Sequence, residues 1–466
     1  MNAKITYILF LIFFSYFAVL MLYYIVLSVL AFFEGRRRAR EYEREDLASF
    51  LTSSFILPVS IIIPAHNEEE WIADSIKSVL NINYPAFEAI VIDDGSTDKT
   101  LEILSDILKL QPVDRTYVER FQAGKIREIF KSEKYPNVTV ISKHAGQKKA
   151  GALNAGLNLA KHKYVCVIDS DTILEPDAFL KIMPHIQKDP ENIIGVGSFF
   201  GLVNCFKIKD GKIIEKNFTC NWLIAYQHIE YVRTFIGNRI AWSRLNVMPN
   251  IAGGFGLWRR DILLELGGYS PDFSCEDIEF TFRAQDYIAE TNKNYKILSL
   301  PYCVGWTEGP SDLASLISQR NRWQRVVIET VWHYKHIVFK RGHGLFAFIL
   351  FPYFLFYEVL GVFFEISSVA LAAWGYFAKV LDLRIFFIFF LFMILSNTFI
   401  SLASLFIFVR DQKIFKTKDI IKFVILSFLE FFWYRWIISI AKLAGTLDYL
   451  KGVKIYDSYA RKKRNK

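Results

Sequence analysis

The feature that most constrains this chain is the stretch 5–33, which carries no charged side chain. A helix needs roughly 20 apolar residues to cross a bilayer core, so the sequence predicts a transmembrane helix here. A cleaved signal peptide has a shorter apolar region and a small-residue cleavage site, and neither is evident. Basic residues cluster directly after the run, at 36–40, and again at 461–466. Such clusters beside apolar segments mark the cytoplasmic side and contact anionic lipid headgroups. They hold much of the excess behind the formal charge of +9, which therefore points to membrane lipid and not to nucleic acid.

The 43 Phe and 23 Tyr crowd into the residues before 33 and after 345, and the middle has ordinary globular composition. The expected organisation is a transmembrane helix (1–34), a basic juxtamembrane linker (35–56), a catalytic α/β domain (57–325), an amphipathic interfacial segment (326–343), membrane or interfacial helices (344–445) and a basic cytoplasmic tail (446–466). Apolar segments lie at 345–377, 385–409 and 420–432. Arg435 interrupts the last, and three full crossings would leave the basic tail outside, so one of the three is expected to be interfacial or re-entrant. The five cysteines, Cys166, Cys205, Cys220, Cys275 and Cys303, form no CxxC pair, which favours reduced thiols in a cytosolic setting.

In the middle segment, short β-branched runs at 59–63, 88–92, 138–141 and 164–168 alternate with amphipathic stretches such as 72–80 and 101–108. This alternation predicts a mostly parallel α/β sheet. Ligands of such sheets bind beyond the carboxyl ends of the strands, where Pro64, Asp93, Asp94, Asp169 and Asp171 fall. The charged stretch 111–136 reads as an excursion without an assignable role.

Asp169 and Asp171, two residues apart at a strand end, suit a hard divalent cation, Mg²⁺ or Mn²⁺, held against a diphosphate. As a bland alternative, the triplet is a solvated turn or a cap. Asp94, in VIDDGSTD, either belongs to a capped turn or accepts the imide N–H of uracil. Lys148 and Lys149, before AGALNAGL, are within reach of phosphate oxygens or simply solvated. Glu276 and Asp277 follow the glycine-rich GGFGLWRR and GGY; a positioned carboxylate there can take the proton of an attacking sugar hydroxyl, although adjacent acids are ordinarily surface residues. In QRNRW, Trp323 offers a flat face to a sugar, while Gln319 and Arg322 can bind a diphosphate.

IIIPAHNEEE, VIDDGSTD, KAGALNAGL, DSD, GGFGLWRRD, CEDIEF and QRNRW, in this order and approximate spacing, resemble the inverting family-2 glycosyltransferases of GT-A fold. The resemblance is to the membrane-integrated branch that includes cellulose, hyaluronan and poly-N-acetylglucosamine synthases. It implies a GT-A-type, Rossmann-like cytoplasmic domain inserted between transmembrane helices, with a UDP-sugar donor and a growing glycan or lipid-linked acceptor. By resemblance, Pro64, Glu68 and Asp94 form the uridine site, Lys149 and Asp169 lie at the donor diphosphate, and Asp169 and Asp171 hold the metal. Asp277 is the general base, supported by Glu276, and Gln319, Arg322 and Trp323 hold nucleotide and acceptor. The chain departs from the family at Cys275, where many relatives have Thr, and at Ala252, where a small polar residue is usual. A gating segment would fall at 456–461, with Tyr456 in the place of a Trp.

The reading that follows is processive synthesis and export of a β-linked polysaccharide at the cell membrane. Its rivals are a single-addition transferase, a silent scaffold within an export complex, and a transporter. The intact carboxylates argue against the scaffold, and the lack of paired repeats against the transporter.

Overall fold

The β-branched runs of the middle segment all become strands, because each offers both faces to a core. The computed structural model describes residues 3–52, 56–412 and 414–453; the basic tail at 461–466 and the segment 456–461, including Tyr456, lie outside the described residues. In chain order the strands are β1 (Val59–Ala65), β2 (Phe87–Asp94), β3 (Leu110–Pro112), β4 (Ile126–Ser132), β5 (Val138–Lys143) and β6 (Tyr164–Val167). They continue with β7 (Ile173–Leu174), β8 (Ile193–Leu202), β9 (Lys207–Lys209), β10 (Lys212–Glu215), β11 (Gly256–Arg259) and β12 (Lys296–Thr307).

Ten of these form one sheet in the order β3-β4-β5-β2-β1-β6-β11-β8-β12-β7, and β9 pairs with β10 separately. Strands β5, β2, β1 and β6 run parallel, joined by crossovers that include the helices Ile72–Leu80, Thr100–Leu108 and Lys148–Leu159. Elsewhere the sheet departs from the mostly parallel expectation: β11 is antiparallel to both β6 and β8, and β4 to β5. The β4–β5 link is a short turn, which permits only antiparallel pairing. The stretch 111–136 thus has a structural role, supplying β4 and most of β3 to one edge of the sheet. Strand β1 is buried along its whole length, as expected of a central strand covered on both faces. Its Ile62 packs with Ile90, Ile92, Leu153 and Leu157 in one apolar core.

This α/β unit comprises Arg36–Asn217 and Asn246–Gly309; among the described residues a second compact unit gathers 3–35, 218–245 and 310–453. The helices Tyr7–Glu43, whose apolar part belongs to the second unit, and Leu383–Arg410 are long and apolar enough to cross a membrane. Two further pairs, Phe346–Val359 with Gly361–Phe377 and Thr417–Phe432 with Tyr434–Leu450, qualify only as bent spans or re-entrant loops, with bends of 48° and 50°. The first helix does not stop at its apolar end but continues through Arg36–Arg40. Arg435, which interrupts the last apolar run, pairs with Glu365 at 2.6 Å, and Lys442 one heptad later pairs with Glu358 at 2.8 Å. Ionisable groups on apolar helices persist when they are neutralised in this way. Cys166, Cys275 and Cys303 are free thiols, but Cys205 and Cys220 are disulfide-bonded. Their spacing carries no sign of this, and the fully reduced expectation is corrected at these two positions.

Candidate functional site

The ends of β1 and β2 are knitted together by side chains from the loops that follow them. Asp94 is the last residue of β2, and its carbonyl bonds to His66 Nδ1 at 2.8 Å. Asn67, in a left-handed conformation at φ 56°, accepts the Thr97 N–H through its side-chain oxygen at 2.8 Å. The Glu68 backbone N–H donates to the Thr100 hydroxyl oxygen, 2.8 Å away. Gly95 makes this turn at φ +68°, where a Cβ would come within 2.5 Å of the Ala145 nitrogen, so only glycine fits. Pro64 stands in β1 opposite Ile92. Pro64, Glu68 and Asp94 therefore share the carboxyl end of the β1–β2 pair.

The register of β2 against β5 sets Asp94 opposite Lys143, whose fully buried ammonium bonds to the Asp94 carboxylate. Burial pushes the Asp94 carboxyl above its usual range, although Lys143 and His66 pull the other way. Sequence reading missed Lys143, and only the strand register identifies it as the partner.

Asp169 follows the end of β6, and Lys149 lies in the first turn of the helix Lys148–Leu159. The backbone enters that helix through Gln147 and Lys148, both left-handed at φ 59° and 54°, a costly conformation for residues with a Cβ. The two lysines diverge. Lys148 donates to the carbonyls of Asp272 and Phe273 at 3.4 and 3.2 Å, whereas the Lys149 ammonium bridges Asp169 Oδ1 at 2.6 Å and Glu276 Oε1 at 2.8 Å. Burial alone would lower the Lys149 pKa, but the two carboxylates overcome it and raise the value well above normal. Lys149 is therefore firmly cationic.

Asp171 is buried and accepts the Thr307 hydroxyl at 2.9 Å; Thr307 is the last residue of β12. Asp169 is the more accessible of the pair, with 35% of its side chain exposed.

Glu276 and Asp277 begin the helix Glu276–Thr291, where the positive end of the helix dipole favours carboxylates. Asp277 accepts three bonds: the Gly253 N–H at 3.0 Å on Oδ2, and the Ile278 N–H at 2.6 Å and the Cys275 thiol at 2.9 Å on Oδ1. The Thr281 hydroxyl anchors the glycine loop to this helix by accepting the Ile251 N–H at 3.1 Å. A Cβ at Gly253 would lie 2.8 Å from Lys149 Nζ and 3.7 Å from both Asp169 carboxylate oxygens, so any side chain there would displace the ammonium. Lys149, Asp169, Gly253, Glu276 and Asp277 thus converge on one site in the α/β unit.

Gln319, Arg322 and Trp323 lie on the helix Leu313–His333, in the other compact unit. Arg322 and Trp323 are exposed. The Arg320 guanidinium lies 4.1 Å from the centre of the Trp323 ring and donates to Gln319 Oε1 at 2.9 Å and Glu230 at 2.8 Å. One face of the indole is therefore already covered by the chain itself.

The mixed α/β sheet, with acidic groups beyond its strand ends and a Glu-Asp pair opening a helix, has the GT-A type of fold found in glycosyltransferases. The chain belongs to the glycosyl transferase family group 2, whose model matches residues 164–408, and the glycosyl transferase family 2 model matches residues 60–267. A probable glycosyltransferase of Bacillus subtilis, YdaM, is 28% identical over 64% of this chain and 63% of its own length. A poly-β-1,6-N-acetyl-D-glucosamine synthase of Staphylococcus epidermidis is 25% identical over 59% of this chain and 56% of its own. The matches therefore span less than two thirds of these relatives. The fold is similar to that of a mannosyltransferase from Pyrobaculum calidifontis, solved with GDP-Man and Mn²⁺, at a TM-score of 0.51 and 14% identity over 95% of this chain and all of that one.

Proposed function

We propose that this protein transfers a sugar from a UDP-sugar to an acceptor hydroxyl with inversion, on the cytoplasmic side of the cell membrane, and extends a β-linked polysaccharide processively. The observation that carries this reading is the convergence of a hydrogen-bonded carboxylate, Asp277, with the Lys149–Asp169–Glu276 cluster around a glycine whose lack of a side chain leaves room for the ammonium.

In this reading Pro64 and Glu68 flank the uridine, and ionised Asp94 accepts the imide N–H of uracil. Lys149 exchanges a carboxylate for the donor's diphosphate. Asp277 removes the acceptor proton as the hydroxyl oxygen attacks the anomeric carbon; the bond from that carbon to the phosphate oxygen breaks, and UDP leaves with its electron pair. Glu276 holds Lys149 in place. The carboxylates at Asp169 and Asp171 fit a hard cation: both offer oxygen ligands, and Asp169 already holds an ammonium ion. Mg²⁺ or Mn²⁺ there would neutralise charge on the departing diphosphate. Gln319, Arg322 and Trp323 hold nucleotide and the acceptor end of a growing glycan or lipid-linked chain, and the apolar helices carry the product outward, with or without export partners. The name of the staphylococcal relative puts UDP-N-acetylglucosamine first among donors to try.

Replacing Asp277 by Asn keeps the shape but removes the base, so transfer should fall by roughly 10²- to 10⁴-fold while UDP still binds. Near-normal turnover in that variant would remove Asp277 from the mechanism.

A further inference from the structure

The residue before the Glu-Asp pair is Cys275, at the position where Thr is usual among the synthases that this chain resembles. Cys275 has the extended backbone of a helix N-cap, φ −144° and ψ 119°, but its side chain does not cap the helix. It donates instead to Asp277 Oδ1, at 2.9 Å. The thiol remains protonated at neutral pH, because burial and then the charges of Asp277 and Glu276 push its pKa well above normal. Each carboxylate oxygen has two lone pairs. Oδ1 uses both, on the Cys275 thiol and the Ile278 N–H, whereas among the described residues Oδ2 accepts only the Gly253 N–H.

We infer that Cys275 is a positioning residue for the base: by occupying Oδ1, its thiol turns the one open lone pair of Asp277, on Oδ2, toward the acceptor hydroxyl. This rests on the assignment of Asp277 as the base. The thiol transfers no proton itself. It fills the second lone pair of Oδ1, beside the Ile278 N–H, which would otherwise offer the acceptor hydroxyl a second accepting site. The residue type at 275 therefore needs a donor hydrogen on its γ atom, a condition that Cys, Ser and Thr meet and Ala does not.

Three variants of the full-length protein test this. Cys275→Ala should lower kcat about three- to tenfold, the effect of one lost hydrogen bond of ordinary net strength, since a thiol is a weak donor, with the donor KM and the UDP affinity unchanged. Cys275→Ser should return kcat to within about twofold of wild type, because a hydroxyl can make the same bond. In an Asp277→Asn background, Cys275→Ala should cost nothing further, since residues acting as a unit are not additive. Wild-type kcat in Cys275→Ala would overturn the inference, as would equal losses in the Ala and Ser variants or an undiminished loss in the Asp277→Asn background. An active Asp277→Asn single variant would instead overturn the base assignment beneath it, so the two failures are distinguishable.

Discussion

Replacing Lys149 by Met removes an ammonium that lies 2.6 Å from Asp169 and 2.8 Å from Glu276, and leaves two carboxylates facing one another. Breaking a buried ion pair by deleting one partner costs about 3–5 kcal/mol. Here Lys149 and Asp169 keep 30% and 35% of their side chains exposed, against 8% for Glu276. Solvent therefore screens much of the interaction, and the expected loss is nearer 1–2 kcal/mol, as a rough figure between the buried and the surface cases. At roughly 2–4 °C per kcal/mol for a unit of this size, the unfolding midpoint of the purified protein in metal-free buffer should fall by about 2–8 °C. Adding Mn²⁺ should raise the variant's midpoint more than that of wild type, because a divalent ion can take the vacated place between the carboxylates. Tryptophan fluorescence during a thermal ramp, repeated with and without the ion, measures both quantities. A midpoint equal to wild type in metal-free buffer would refute the bridging role of Lys149.

Chelation with excess EDTA should abolish transfer, and Mg²⁺ or Mn²⁺ should restore it; full turnover in EDTA would mean that Asp169 and Asp171 act without a metal. Because burial raises the Asp94 carboxyl and its ionised form accepts the uracil N–H more strongly than the protonated form, UDP affinity should fall on acidification at a higher pH than an ordinary aspartate would give. Calorimetry should show that Asp94→Asn flattens this dependence. The stability effect of Asp94 has the opposite sense: the folded state holds that proton more tightly than the unfolded chain, so its contribution declines as pH rises from the usual to the raised value. Trp323→Ala should shorten the product: losing one indole face removes about 1–2 kcal/mol of apolar burial and speeds acceptor release roughly five- to thirtyfold. Product of unchanged length would mean that the face left open by Arg320 does not hold the sugar.

The parallel half of the sheet was legible because its strands are continuous β-branched runs separated by amphipathic helices, and both patterns are local. Strands β3 and β4 were not: their residues are largely polar and lie at a sheet edge, where no alternation is enforced, and Gln111–Lys131 pairing is a tertiary fact. Strand β11 escaped for a related reason, since GLWR is short and its direction is set by insertion between β6 and β8. At the site, Asp94, Asp169, Glu276 and Asp277 could be picked out by residue type. Of their partners, Lys143 was missed because it meets Asp94 only through register, and Lys149 was singled out without its pairing to Glu276, which spans a long stretch of intervening chain. The bends after Val359 and Phe432 were equally invisible to a hydropathy count, which measures length and not direction.

The measurement that bears most directly on the account is mass analysis of the product made by purified, membrane-reconstituted protein offered a panel of UDP-sugars with Mg²⁺ or Mn²⁺. A β-linked polymer is expected from one donor of the panel, with roughly 10²- to 10⁴-fold less product from the Asp277→Asn variant and retained UDP binding in that variant. Acceptors extended by a single sugar would replace polymer synthesis with single addition, and no transfer from any UDP-sugar would contradict the proposed function itself.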